Sequence, residues 1–193
     1  MRESVFQQML SATGAFLSGH FLLSSGLHSG GYLQCALFLS RPEYAAAMCR
    51  DIAVKLKKMK ADIVIGPAYG GILVAYELAR ALHARAMFAE RKDSVMQLRR
   101  GFTIKKGERV LIAEDVITTG RSVKEVMVAI RPYSPRIIGV VSLINRSAKN
   151  KPFGRIPFYS VKTLNIKTYT ADKCPLCKAN VPIAKPGSRQ MPR

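Results

Sequence analysis

The sequence predicts an α/β protein with a central, mainly parallel sheet flanked by helices. Short apolar runs rich in β-branched residues alternate along the chain with amphipathic patterns of helical period. Two of those runs end in glycine- or hydroxyl-rich turns that lead directly into a helix, which is where open α/β sheets receive their ligands. A third observation sharpens the second. The run at 109–113 meets two adjacent acids, Glu114 and Asp115, just before its turn.

Val5, Phe6, Met9, Leu10 and Ala12 recur at helical spacing over 4–13, and Gly14 is a stop signal. Residues 19–34, GHFLLSSGLHSGGYLQ, carry short apolar pieces around two turn clusters, Ser24-Ser25-Gly26 and Ser29-Gly30-Gly31, and predict a hairpin. Pro42 in a first turn opens a helix that runs to about Leu56. Residues 63–65 form a short buried strand feeding the loop Gly66-Pro67-Ala68-Tyr69-Gly70-Gly71, and a helix follows over about 72–82. A strand at 86–89 precedes 90–101, ERKDSVMQLRRG, which lacks a stable period and predicts a mobile basic loop: either a lid over a leaving anion or a solvated surface loop. After the strand at 109–113 and its turn, Val123, Val126, Met127 and Ile130 mark another helix. Strands at 136–144 and 158–163 follow, the first ending at Asn145-Arg146-Ser147, and the stretch beyond Tyr169 is expected to pack irregularly.

The chemistry gathers at two loops. Thr118, Thr119, Gly120, Arg121 and Ser122 supply hydroxyls, a glycine and backbone donors at a helix start, a cradle for phosphate. The glycine loop at 66–71 has the same strand, turn and helix order. Two such loops in successive units suit a ligand phosphorylated at both ends, whereas the plainer readings are a capped helix and a tight packing turn. Glu114 and Asp115 cannot bind phosphate themselves, but they can accept hydrogen bonds from sugar hydroxyls or hold magnesium through water. Arg146, at a strand's carboxyl edge, can take a carboxylate through two parallel hydrogen bonds.

With 193 residues, 48% of them hydrophobic and 22% charged, the chain has the size and composition of one globular domain. No apolar run approaches the roughly 20 residues of a membrane span, and the start MRESVFQQML lacks a secretory pattern, so a cytoplasmic protein is expected. The net charge is +19, and from Arg146 onward 11 basic residues face a single acid, Asp172. Without interleaved aromatic residues this favours a solvated basic surface over a nucleic-acid interface. Cys174 and Cys177, as Cys-Pro-Leu-Cys, are half of a zinc ligand set; no second Cys-x-x-Cys or His-x-x-x-His appears, which leaves a turn or a metal shared across a dimer.

A strand, two acids and then Thr118-Thr119-Gly120-Arg121-Ser122 resembles the phosphoribosyl diphosphate signature of the type I phosphoribosyltransferases. Ser25-Gly26-Leu27-His28-Ser29 resembles the N-terminal hood of the orotate phosphoribosyltransferases. Glycine loop, lid, signature, Asn145-Arg146-Ser147, Cys-Pro-Leu-Cys and a Lys-Pro-Gly-Ser-Arg tail follow in the order found in bacterial and archaeal members, so the resemblance spans nearly the whole chain. It implies a type I phosphoribosyltransferase fold in a single domain, 1–193. The hood would be about 1–40 with part of the C-terminal segment, the core about 41–165, and the tail 166–193.

The activity implied is transfer of phosphoribose from 5-phosphoribosyl 1-diphosphate to orotate. Glu114 and Asp115 would hold the ribose hydroxyls, residues 118–122 the 5-phosphate, and Ala68, Tyr69, Gly70 and Gly71 the diphosphate. Arg91 and Lys92 would reach the diphosphate from the partner subunit of a homodimer, Ser25 and Gly26 would lie in the hood over the pyrimidine, and Arg146 would take the orotate carboxylate. Arg91, Lys92 and Asp115 are the expected catalytic residues, with Mg2+ held through substrate and water rather than by the protein directly. The chain departs from the family pattern at Val95, where the lid usually carries a catalytic lysine, and at Gly30-Gly31, where relatives often carry an acid and a base. Two other functions compatible with the fold are a catalytically weakened sensor of phosphoribosyl diphosphate and a purine phosphoribosyltransferase.

Overall fold

A computed structural model describes residues 1–23, 25–147 and 152–185. It divides into two compact units, one formed by residues 41–164 together with Met1, the other by 2–40 with 165–193.

The smaller unit begins with α1 (Glu3–Thr13), which buries Phe6, Met9 and Leu10 and ends on Gly14 in the left-handed region that glycine adopts freely. Strands β1 (Phe16–Leu22) and β2 (His28–Leu33) pair antiparallel, as the hairpin pattern predicts. Only the first turn cluster makes the turn. Ser29-Gly30-Gly31 lies inside β2, where Gly31 faces Ser18 and a Cβ on it would come within 2.7 Å of the Phe16 ring. Gly31 admits an aromatic ring rather than reversing the chain. A short helix α2 (Cys35–Leu39), unmarked by any period in so short a run, closes this part.

In the larger unit, α3 (Pro42–Leu56) starts and stops where proline and the apolar pattern place it. Then come β3 (Ile63–Pro67), α4 (Gly70–Leu82), β4 (Arg85–Lys92), β5 (Val95–Leu98), β6 (Arg109–Ile117), α5 (Arg121–Ile130), β7 (Arg136–Asn145) and β8 (Phe158–Thr163). The sheet order is β5-β4-β3-β6-β7-β8, parallel throughout except for β5. Every residue of β3 is buried, which explains an unbroken apolar run instead of an alternating one. Ile63 and Ile65 of β3 and Val110 and Ile112 of β6 join Val123, Val126 and Ile130 of α5 in one core cluster. The intervening Val64 and Leu111 are equally buried and point to the other face by strand alternation.

Two sequence expectations change here. The stretch 90–101 is no irregular loop: β4 extends to Lys92 and pairs with β5, Arg91 facing Met96 and Lys92 facing Val95. Asp93 and Ser94 turn the chain with φ of 51° and 66°, the two left-handed residues of a tight hairpin. Met96 is buried and Leu98 only partly so against the same core, too little to give a readable period. Nor do the acids end their strand. β6 runs through Glu114 and Asp115 to the buried Ile117, in register with β7 as far as Asn145.

The tail returns to the smaller unit. β9 (Thr168–Tyr169) pairs with β2, α6 (Pro175–Lys178) follows, and β10 (Ile183–Ala184) runs parallel to β1. The regular elements here are two to four residues long, below the length at which periodicity is legible. Ser24 and the Pro-Gly-Ser-Arg part of the tail motif, 186–189, lie outside the described residues.

Candidate active site

From β3 the chain crosses to β4 on one side, and from β6 it crosses to β7 on the other. Neighbouring parallel strands whose connections leave in opposite directions open a crevice at their carboxyl ends, the ligand position of doubly wound sheets. The two loops singled out in the sequence are the two walls of this crevice, each followed by a helix whose first amides face outward.

Glycine is required in the first wall by close approach. A Cβ on Gly66 would come within 2.0 Å of the Gly71 carbonyl oxygen, and one on Gly70 within 2.3 Å of the Asp115 carboxylate. A Cβ on Gly71 would meet Pro67 at 2.7 Å and Glu114 Oε1 at 3.2 Å. The packing reading and the ligand reading of this loop therefore hold together. The same absence of side chains that lets α4 sit on β6 leaves its first turn bare beside the acid pair. The Ala68–Tyr69 peptide is cis, and the Ala68 amide donates to the Ala89 carbonyl at 2.8 Å.

Glu114 is buried, only 9% exposed, and Asp115 is half-buried. Glu114 Oε1 accepts from the Asp115 amide at 3.1 Å, and Asp115 Oδ1 from the Val116 amide at 2.7 Å. Burial first, and the Asp115 carboxylate beside it second, push the Glu114 carboxyl well above its ordinary range. A desolvated acid of this kind gains from any ligand that brings hydrogen-bond donors to it.

In the second wall Thr118 and Thr119 are exposed, and Gly120 caps α5 with φ 72°. A Cβ on Gly120 would strike the Phe153 ring at 2.8 Å, so conformation and space both demand glycine. The Thr119 hydroxyl oxygen accepts from the Arg121 amide at 3.4 Å, and Ser122 lies in the first turn of α5. Arg121 Nε donates to Glu125 Oε1 at 2.8 Å, and Arg91 of β4 closes on the other oxygen of the same carboxylate. Glu125, unmarked in the sequence, thus ties the hairpin to α5. Its role was hidden because one glutamate on a helix resembles any other until the partners are seen. Lys92 is exposed at the hairpin's end beside Val95, itself 59% exposed.

The Arg146 amide donates to the Ile117 carbonyl at 2.7 Å, which places this arginine at the end of β6, beyond the acids. Ser25 and Gly26 form the exposed β1–β2 turn, in the smaller unit. Burial pushes the Cys49 thiol up to about 12, and Cys35 is also buried. Cys174 and Cys177 meet His20 and His28.

Sheet order, crevice and two helix starts at neighbouring strand ends define a protein of the doubly wound α/β class with its candidate site at the carboxyl ends of β3 and β6. A family model described as "Phosphoribosyl transferase domain" matches residues 42–171. Orotate phosphoribosyltransferase of Caldicellulosiruptor saccharolyticus is 50% identical over 191 residues, covering 99% of this chain and all of that protein. The enzyme of that name from Caldanaerobacter subterraneus is 54% identical over 173 residues, 90% of each chain. Among solved structures, orotate phosphoribosyltransferase from Aeropyrum pernix superposes with a TM-score of 0.67 at 26% identity, over 81% of this chain and 92% of that one. The chain belongs to the orotate phosphoribosyltransferase family.

Proposed function

We propose that the protein transfers phosphoribose from 5-phosphoribosyl 1-diphosphate to a ring nitrogen of orotate, a step of pyrimidine biosynthesis, releasing diphosphate. The observation that carries this is the crevice itself: two helix starts at neighbouring strand ends, with Glu114 and Asp115 against the first and a few residues ahead of the second. The 5-phosphate goes to residues 118–122, the diphosphate to 68–71, and the ribose hydroxyls to the two acids.

In the reaction a bond forms between the orotate nitrogen and C1 of the ribose while the C1–oxygen bond breaks, its electron pair leaving with diphosphate. No protein nucleophile is needed. Positive charge grows on the ribose near Asp115 and negative charge on the diphosphate, which the α4 amides, Arg91 and Lys92 stabilise. Alignment of the two reactants supplies much of the remainder. Arg146 holds the orotate carboxylate.

Magnesium fits this arrangement: hard oxygen donors suit it, and it commonly keeps water and substrate phosphates as ligands. Glu114 and Asp115 would meet it through water, and when bound it neutralises diphosphate charge. The proposal includes a homodimer. Tyr69, Leu73 and Tyr76, spaced to share one face at the start of α4, are 86%, 49% and 63% exposed, an apolar stripe suited to a second copy. It also includes a cytoplasmic setting; among the described residues no helix is long and apolar enough to cross a membrane.

Loss of orotate absorbance with phosphoribosyl diphosphate and Mg2+ tests the reaction. Turnover with orotate and none with adenine, guanine or hypoxanthine is expected. Turnover with purines alone, or binding without turnover, would replace this function by a purine enzyme or a sensor.

A further inference from the structure

The smaller unit contains a cluster of metal-ligating side chains. His20 Nε2, His28 Nδ1, Cys174 Sγ and Cys177 Sγ all lie within 4.8 Å of one another. His20 Nε2 is 2.8 Å from His28 Nδ1, 3.6 Å from Cys174 Sγ and 3.7 Å from Cys177 Sγ, and Cys177 Sγ is 3.2 Å from His28 Nδ1. A tetrahedral zinc with nitrogen at about 2.0 Å and sulfur at about 2.3 Å has ligand–ligand edges of about 3.3 to 3.8 Å. The two nitrogens stand closer than that by about half an ångström, and Cys177 Sγ and His28 Nδ1 are slightly closer than such an edge.

Three further features fit a metal rather than a chance meeting of polar groups. His20 Nδ1 lies 2.8 Å from the Val181 carbonyl, which can only accept, so this nitrogen carries the proton and the neutral ring turns its Nε2 lone pair to the cluster. Cys174, His20 and His28 are buried, with 0%, 3% and 8% exposure, and these four ligands leave no open coordination position. The site also joins what little else joins. His20 sits in β1, His28 opens β2, and the cysteines flank the start of α6, in a unit whose C-terminal part, among the described residues, has two-residue strands, a three-residue 3-10 turn and a four-residue helix. Units this small commonly need a staple beyond their apolar core.

We propose that His20, His28, Cys174 and Cys177 of one chain bind a structural zinc ion that clamps the C-terminal segment onto the N-terminal hairpin. Two thiolates and two imidazoles in a closed tetrahedron select zinc among common divalent ions, and the role is structural because substrate has no position to enter. The ion belongs within one subunit, so no second copy is needed to complete it.

Full-length protein prepared without a metal-binding tag is expected to contain about one zinc per chain, and Cys174→Ser/Cys177→Ser less than about a tenth of that. Cobalt added to the reduced, zinc-stripped protein should give the intense visible bands of a tetrahedral site together with thiolate-to-cobalt charge transfer. His28→Ala should weaken and shift those bands. Protein free of zinc whose cobalt titration yields no thiolate charge transfer would overturn the assignment, as would full zinc content in the double cysteine variant. Should the double variant fail to fold, the cobalt spectrum of the wild-type chain decides alone.

Discussion

At the scale of single residues, the acid pair shows how function and stability pull against each other. Glu114 is kept in a buried place where its ionised form is costly, with Asp115 adjacent. Because its folded pKa lies above the unfolded value, the folded state binds the extra proton, and stability falls as pH rises from the ordinary carboxyl range through the raised pKa. Glu114→Gln is therefore expected to raise the melting temperature of the ligand-free protein at neutral pH, with the gain fading toward pH 4. Its affinity for phosphoribosyl diphosphate should drop, since an amide accepts fewer hydrogen bonds from the ribose. Scanning calorimetry across pH and titration with the substrate check both halves. Gly70→Ala belongs to the same scale. Its methyl group would lie 2.3 Å from Asp115, so the variant must displace the carboxylate or α4. A loss of about 1 to 3 kcal/mol of stability is expected, together with loss of substrate binding.

At the scale of elements, the hairpin of β4 and β5 replaces the irregular lid read from the sequence. Its cations are placed by register: Lys92 faces Val95, and Arg91 closes on Glu125 of α5. That ion pair is partly exposed, so it holds Arg91 with no more than about 1 kcal/mol. Glu125→Gln should then lower the KM for phosphoribosyl diphosphate by at most about fivefold, because the guanidinium no longer has to leave a carboxylate to reach the substrate. Val95→Lys restores a cation on the strand beside Lys92 and is expected to raise turnover by up to about a hundredfold. An unchanged rate would mean that Arg91, Lys92, Arg99 or Arg100 already neutralises the leaving group. Steady-state kinetics separates these outcomes.

At the scale of the whole molecule, the sheet segregates stability from chemistry. Asp62, just before β3, pairs with Arg109 at the start of β6: Oδ1 and Oδ2 accept from the guanidinium at 2.7 and 2.9 Å, and Oδ2 also accepts from the Arg109 amide at 2.8 Å. These contacts hold the Asp62 carboxyl down at about 2. The contribution is present above the ordinary carboxyl range and lost as pH falls toward that value. Both side chains are about a third exposed, so Asp62→Asn should cost no more than about 1 kcal/mol. Since the pair lies at the edge opposite the crevice, kcat is expected to stay unchanged while the acid sensitivity of the melting temperature diminishes between pH 4 and 2.

Much was legible before the fold was known because it depended on local patterns. The unbroken apolar run of β3, Pro42 ahead of α3 and the 3.6-residue period of α5 report burial directly, and Thr118-Thr119-Gly120-Arg121-Ser122 is chemically complete within five residues. Where strand and hairpin were hard to distinguish, as over 90–101, one buried side chain left no period to read. Glu114 and Asp115 could be placed next to the turn that opens α5, but not that β6 continues beyond them, because that depends on pairing with β7.

By itself the sequence determined the α/β class, the two strand–turn–helix loops and the acids next to the second, all set by residues near one another in the chain. Tertiary structure alone decided that Gly70 must be bare because Asp115 lies against it, that Arg91 and Arg121 share Glu125, and that His20 and His28 meet Cys174 and Cys177 from the opposite end of the chain. Each is a contact between distant segments, fixed by sheet order and close packing, and no local pattern encodes which segments will meet.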